Sequence, residues 1–246
     1  GVASGIAINV TLPHMTSFGG VAPIIIYNAE TREVATISGL GRWPKSVSLE
    51  HFRDTYGEIP PGIPRSVVPS ACDAWLTALE LFGTMSFEQV VTPALELTED
   101  GFPISHRLAA AISGSETELG SSPESMAAFM PDGRPPAVGD TLRRTGLARV
   151  FRWMINAERG ASGGREHGVR AARALFYEGE VAERMVSFCQ EQGGYLTMDD
   201  FAEFHVRIEP PETASYKDYQ VYTCGAWCQG PSLLQVLNIL EGVDVA

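Results

Sequence analysis

Positive charge is scarce in this chain of 246 residues. Lys and Arg number 18 against 30 Asp and Glu, a formal net charge of −12. Nucleic-acid backbones and anionic membrane surfaces recruit cations, so this balance argues against both partners. The basic cluster Arg143, Arg144, Arg149 and Arg152 sits in a helical pattern and reads as a solvated helix face. No apolar run approaches the roughly 20 residues that cross a bilayer, and no signal peptide opens the sequence. Cysteine is also sparse. Cys72, Cys189, Cys224 and Cys228 show no disulfide-framework spacing, which points to a reducing, cytoplasmic compartment. A leader ahead of Gly1 would make the location periplasmic or secreted instead. Residues 1–8 read as the interior of a buried helix with neither cap nor start methionine, so the expectation is an incomplete polypeptide.

What is present describes an ordinary globular protein, with 44% hydrophobic and 20% charged residues. Residues 23–28 and 33–38 are two β-branched-rich strands joined by a polar turn, a hairpin. Residues 39–69 carry many Gly and Pro and read as a long ordered loop, of the kind that is often functional. Ser70 with Asp73 opens a helix that Gly83 stops. Ser86 and Gln89 form a capping box for another, with Pro93 bending it and Gly101 beyond its end. Leu147, Val150, Phe151, Met154 and Ile155 make a third apolar stripe, and Val181, Met185 and Phe188 a fourth. Residues 113–125 and 160–168 lack periodicity and read as mobile loops or linkers. Thr197 and Asp200 bracket a short helix, and strand returns near 216–223. The last stretch, 219–240, is a strand, a Gly/Pro turn and an apolar helix. Strands at both ends around a helical middle, without regular alternation, place the chain in the α+β class.

The chemistry-bearing residues are dispersed. His14, His51, His106, His167 and His205 have no partners at metal-binding intervals, and Cys224 with Cys228 lacks a second pair, so no metal or cofactor is expected. Gly19-Gly20 and residues 160–168 do not match a phosphate cradle, and no serine lies in a nucleophile elbow. Cys189 reads as an inert core thiol. Cys228, in a strand-to-helix turn, reads either as an activated thiol or as a buried structural one. Arg42, His51 and Arg53 lie in the long loop. There a guanidinium either clamps a carboxylate or holds the loop down through a surface salt bridge.

Eight segments, in order, resemble the large subunit of γ-glutamyltranspeptidases. They run from Leu-Pro-His-Met-Thr-Ser-Phe-Gly-Gly at 12–20 and the hairpin at 24–31, through 87–102, 139–142 and 176–182. Gly-Gly-Tyr-Leu-Thr-Met-Asp-Asp-Phe at 193–201, 216–222 and Leu-Asn-Ile-Leu-Glu at 237–241 complete the series. The resemblance implies an αββα four-layer sandwich of the N-terminal-nucleophile hydrolases, with residues 1–246 as a large-subunit portion truncated at both ends. It implies a small subunit cut from the same precursor, whose new N-terminal threonine is both nucleophile and, through its α-amine, base. No catalytic residue then lies in this chain. The substrate is a small-molecule amide.

Two departures bear on that substrate. Aligned on Pro44, the arginine with which the family grips the γ-glutamyl α-carboxylate falls at Leu49. A lost guanidinium–carboxylate contact costs on the order of 1.5–3 kcal/mol. Arg53, one turn later, and Arg42, before the proline, are the candidate substitutes for substrate binding. The second departure is Cys-Gly-Ala-Trp-Cys-Gln-Gly-Pro at 224–231, where the family carries a Pro-rich Ser-Ser-Gly-Gly turn. Trp227 there lines an apolar pocket or packs in the core. The activity expected is that of an amide hydrolase or acyltransferase acting on something other than a γ-glutamyl amide. A true glutathione hydrolase and a non-catalytic scaffold that never self-processes are the alternatives.

Overall fold

The computed structural model describes residues 1–243. Its elements begin with α1 (Val2–Thr11), β1 (Ile24–Asn28), β2 (Glu33–Ile37), α2 (Leu49–Tyr56), a 3-10 turn (Ile63–Arg65), α3 (Ala71–Phe82) and α4 (Phe87–Glu99). They continue through β3 (Phe102–Pro103), α5 (His106–Gly114), α6 (Glu116–Gly120), α7 (Pro123–Phe129), β4 (Thr141–Leu142), α8 (Thr145–Gly160) and α9 (Arg165–Tyr177). The last are α10 (Glu180–Glu191), α11 (Met198–Ala202), β5 (Ile208–Glu209), β6 (Glu212–Tyr216), β7 (Tyr219–Thr223) and α12 (Gly230–Glu241). Two units emerge. One joins Gly1–Phe18 to Thr84–Val181, and the other joins Gly19–Gly83 to the chain from Ala182 onward.

The first unit is helical, with the short β3–β4 ladder at its edge. Phe18, Phe151 and Phe176 meet edge to face inside it, with ring centroids 5.0 and 5.8 Å apart. Such pairs add directional stability to the burial of large apolar area. The capping box at Ser86 and Gln89 is present as the spacing predicts. The two backbone donors it leaves over go to another helix. Glu158, in the last turn of α8, accepts the Phe87 N–H at 2.6 Å and the Glu88 N–H at 2.7 Å. A carboxylate at a helix N-terminus gains from the dipole as well as from the two bonds. Gly168 leaves the space, since a Cβ there would lie 2.9 Å from Glu158 Cγ. Glu158→Ala is therefore expected to cost about 2 kcal/mol and to lower the melting temperature by about 4–8 °C, read by calorimetry.

Several expectations for this unit need correction. Residues 113–125 are not a loop, because α5 runs to Gly114, α6 follows, and Ser122 caps α7 by accepting the Ser125 N–H at 3.2 Å. Residues 160–168 are largely helical too, with only 161–164 between α8 and α9. Short helices built on serine caps carry no apolar period long enough to read. The arginine cluster also splits. Arg152 pairs with Glu99, whereas Arg144 lies over Phe129 at 4.7 Å with Nη1 buried, its pKa pulled down by that burial.

The second unit is built on the β1–β2 hairpin, extended by β5 into an antiparallel sheet of order β1-β2-β5. Asn28 Oδ1 accepts the Glu30 N–H at 2.9 Å and Arg32 takes φ 59°, which closes the turn. A second hairpin, β6–β7, pairs Glu212 with Thr223 through to Tyr216 with Tyr219, and α12 packs against it. In α10 the buried face is Val181, Ala182, Val186 and Cys189, and Phe188 is exposed, so the stripe expected there is rotated. The capping box at Thr197 and Asp200 forms as expected. Residues 39–69 hold α2 as well as loop. Ser48 accepts the His51 N–H at 3.2 Å, and Gly57 ends the helix at φ 78°.

Candidate functional site

The strap after β2 is held first through its backbone groups. Gly39 takes φ +53°, and its carbonyl accepts the Ala22 N–H at 2.9 Å. A Cβ on Gly39 would lie closer than 3.0 Å to the Ala22 carbonyl oxygen, and one on Gly41 equally close to that of Val68. Val68 N–H in turn donates to the Arg42 carbonyl at 2.9 Å. Ser70, expected to cap α3, makes no cap bond. Its buried hydroxyl donates to Gly39 O at 2.7 Å, with Gly20 O a second acceptor at 3.1 Å. Asp73 is likewise turned to another task. Its carboxylate, 1% exposed, accepts the Val206 N–H at 2.7 Å.

Beyond Arg42 the strap is stitched to the segment around α11. Lys45 N–H donates to Asp200 Oδ1 at 2.9 Å, and the Lys45 ammonium pairs with Glu203. Trp43 meets Phe52 edge to face at 5.4 Å, and His51 meets Tyr195 at 5.0 Å. The hydroxyls of Tyr56 and Tyr195 share a 2.7 Å hydrogen bond, which raises the Tyr195 pKa above its ordinary value. The His51 Nε2 is buried with no hydrogen-bond partner among the described residues.

Of the two arginines singled out from the sequence, the structure gives them different surroundings. Arg53 is exposed in the last turn of α2, and its Nε donates to the neighbouring Asp54 at 3.0 Å. Arg42 is exposed, its guanidinium 5.6 Å from the Phe204 ring centre, and it makes no ion pair among the described residues. Leu49 opens α2 and is 69% exposed. With Trp43, Val47, Ser48, Phe52 and Ile59 it lines an apolar depression of about 280 Å³. The Trp43–Phe52 wall escaped the sequence reading because α2 was not foreseen there. Trp227 lines no such wall, and its indole N–H donates to Glu209 Oε2 at 2.6 Å.

Arg42 offers a fork of donors with no ion-pair partner among the described residues, and its neighbour in sequence, Trp43, lines the apolar depression. Among the described residues no group of three or more His, Cys, Asp or Glu can hold a metal ion. No helix among them is long and apolar enough to cross a membrane.

A family model described as gamma-glutamyltranspeptidase matches residues 1–246. The chain is 31% identical over 244 residues to a glutathione hydrolase-like proenzyme of Bacillus subtilis, covering 99% of this chain and 44% of that protein. The Helicobacter pylori gamma-glutamyltranspeptidase crystal structure superposes with a TM-score of 0.88 at 25% identity, over 100% of this chain and 68% of that one. A cephalosporin acylase from Bacillus halodurans superposes with a TM-score of 0.86 at 25% identity, over 99% and 44%. The chain thus spans less than half the length of the curated relative.

Proposed function

Because this chain belongs to the γ-glutamyltranspeptidase family and has the α+β fold of its N-terminal-nucleophile hydrolases, we propose that it is the large-subunit portion of an amide hydrolase or acyltransferase. It provides binding surface, and the nucleophile, an N-terminal threonine, comes from a small subunit cut from the same precursor. Its substrate is a small amide with an apolar acyl portion, other than a γ-glutamyl amide. One observation carries this substrate reading. Leu49, where the family resemblance places the carboxylate-gripping arginine, stands exposed over the apolar depression with Trp43 and Phe52. The cephalosporin acylase among the structural relatives is consistent with a broader amide range. A cytoplasmic location remains part of this reading and rests on cysteine usage.

The companion subunit has a place to sit. On α12, Leu233, Val236 and Ile239, spaced three residues apart, are exposed along one side of the helix. An apolar face of that kind on a soluble protein marks an interface. Intact-mass measurement of the purified protein tests the pairing. Two polypeptides, the smaller beginning with Thr or Ser, support catalysis, whereas an unbroken precursor defeats it.

True glutathione hydrolysis is the second reading, and Arg42 favours it, because an exposed guanidinium without an ion pair among the described residues suits a substrate carboxylate. Incubating the complete heterodimer with γ-glutamyl-p-nitroanilide separates the two. Rapid nitroaniline release would overturn the first reading. For any carboxylate-bearing substrate, Arg42→Ala is expected to raise KM about 10- to 100-fold, equivalent to about 1.5–3 kcal/mol. Arg53→Ala, whose guanidinium is already paired with Asp54, should leave KM unchanged. Equal and negligible changes in both would remove the strap from the substrate site.

A further inference from the structure

The turn between β7 and α12 brings together two thiols that the amide chemistry does not use. Cys228 N–H donates to Gly225 O at 3.1 Å, a β-turn that folds Cys228 back toward Cys224. The approach is close enough that a Cβ on Gly230 would lie closer than 3.0 Å to the Cys224 carbonyl oxygen. Cys224 and Cys228 thus flank one tight turn, and both are half-buried. Cys228 is thus half-buried rather than buried. Cys72 and Cys189, by contrast, are buried at 0% and 4% exposure.

The two sulfurs have different surroundings. Cys228 Sγ accepts the Gly230 N–H at 3.4 Å in the first turn of α12, a contact that a thiolate keeps. Cys224 Sγ donates to Ile24 O at 3.8 Å on β1. Burial is the main cause that holds the Cys224 thiol above its ordinary pKa, with neighbouring Cys228 adding to it.

We propose that Cys224 and Cys228 form a dithiol–disulfide couple that closes across the β7–α12 turn, oxidised by a low-molecular-weight disulfide such as glutathione disulfide. Cys228 loses its proton to solvent and its thiolate attacks one sulfur of the oxidant. A protein–glutathione mixed disulfide forms and one glutathione leaves. Cys224 then loses its proton and attacks the Cys228 sulfur, which breaks the mixed disulfide and releases the second glutathione. The protein has lost two hydrogens and two electrons, and the oxidant has become two thiols. The couple is independent of the amidase reading, since neither sulfur is assigned to substrate.

The test uses the complete protein, reduced, desalted and incubated with glutathione disulfide, then alkylated and mapped by peptide mass spectrometry. The expected product links the Cys224 and Cys228 peptides, lacks two hydrogens and retains no glutathione. Cys72 and Cys189 should take up the alkylating agent only after denaturation. Cys224→Ser should trap glutathione on Cys228, and Cys228→Ser should trap far less on Cys224. The proposal is overturned if both cysteines of the wild type stay alkylatable, if either keeps glutathione, or if the link joins two different chains. The wild-type map is decisive even where a serine variant folds poorly.

Discussion

Gly39→Ala is expected to prevent the second unit from folding, with a loss of more than about 4 kcal/mol. Two penalties coincide at this residue. A left-handed backbone at φ +53° costs an alanine about 1 kcal/mol or more. The larger penalty is steric, because the new Cβ would fall inside the van der Waals contact of the Ala22 carbonyl oxygen and carbon. The backbone cannot slide away, since Gly39 O receives both the Ala22 N–H and the Ser70 hydroxyl. Soluble yield and the far-ultraviolet circular dichroism of the purified variant check this. A well-folded protein with an unchanged melting temperature would show that the strap is looser than these contacts imply. Gly57→Ala is the control, because that glycine also has positive φ but meets nothing within 4 Å, and it should cost only about 1 kcal/mol.

Asp73→Ala should be the next most damaging substitution, costing about 3 kcal/mol. The carboxylate is buried in the first turn of α3, where the helix dipole favours it. It also accepts the Val206 N–H from a segment 133 residues away. Removing it abolishes a charge-assisted bond, worth about 1.5–3 kcal/mol, and leaves a backbone donor without its acceptor. Urea unfolding measures the loss as a lower midpoint with an unchanged slope. Asp73→Asn keeps an acceptor oxygen and should recover part of the loss. An alanine variant as stable as the parent would mean that water replaces the carboxylate at Val206.

Where an element satisfies itself locally, the sequence reveals it. The Ser86–Gln89 and Thr197–Asp200 boxes, the β1–β2 hairpin and the α8 stripe are decided by residues within one or two turns of each other. Where a side chain is claimed by a distant partner, local reading fails. Ser70 looks like a cap for α3, but the carbonyls of Gly20 and Gly39 take its proton. α2 was lost among the glycines and prolines around it, although Ser48 and Gly57 bracket it as cap and stop. Within the site, Arg42 and Arg53 were equivalent in the sequence. Only the Asp54 pairing of Arg53 and the approach of Arg42 to the Phe204 ring distinguish them. The apolar depression was illegible because its walls, Trp43 and Phe52, meet only once α2 has formed.

The interleaving of the two units has an effect at the ribosome. β2 emerges early, yet β5, which covers its open edge, follows only after the whole stretch from Thr84 to Val181 has been made. At about 5–20 residues per second that stretch takes on the order of 5–20 seconds. For at least that interval the end of the nascent hairpin at Thr36 and Ile37 shows unpaired amides and carbonyls to every other strand in the cell, and it is then that chaperone protection counts most.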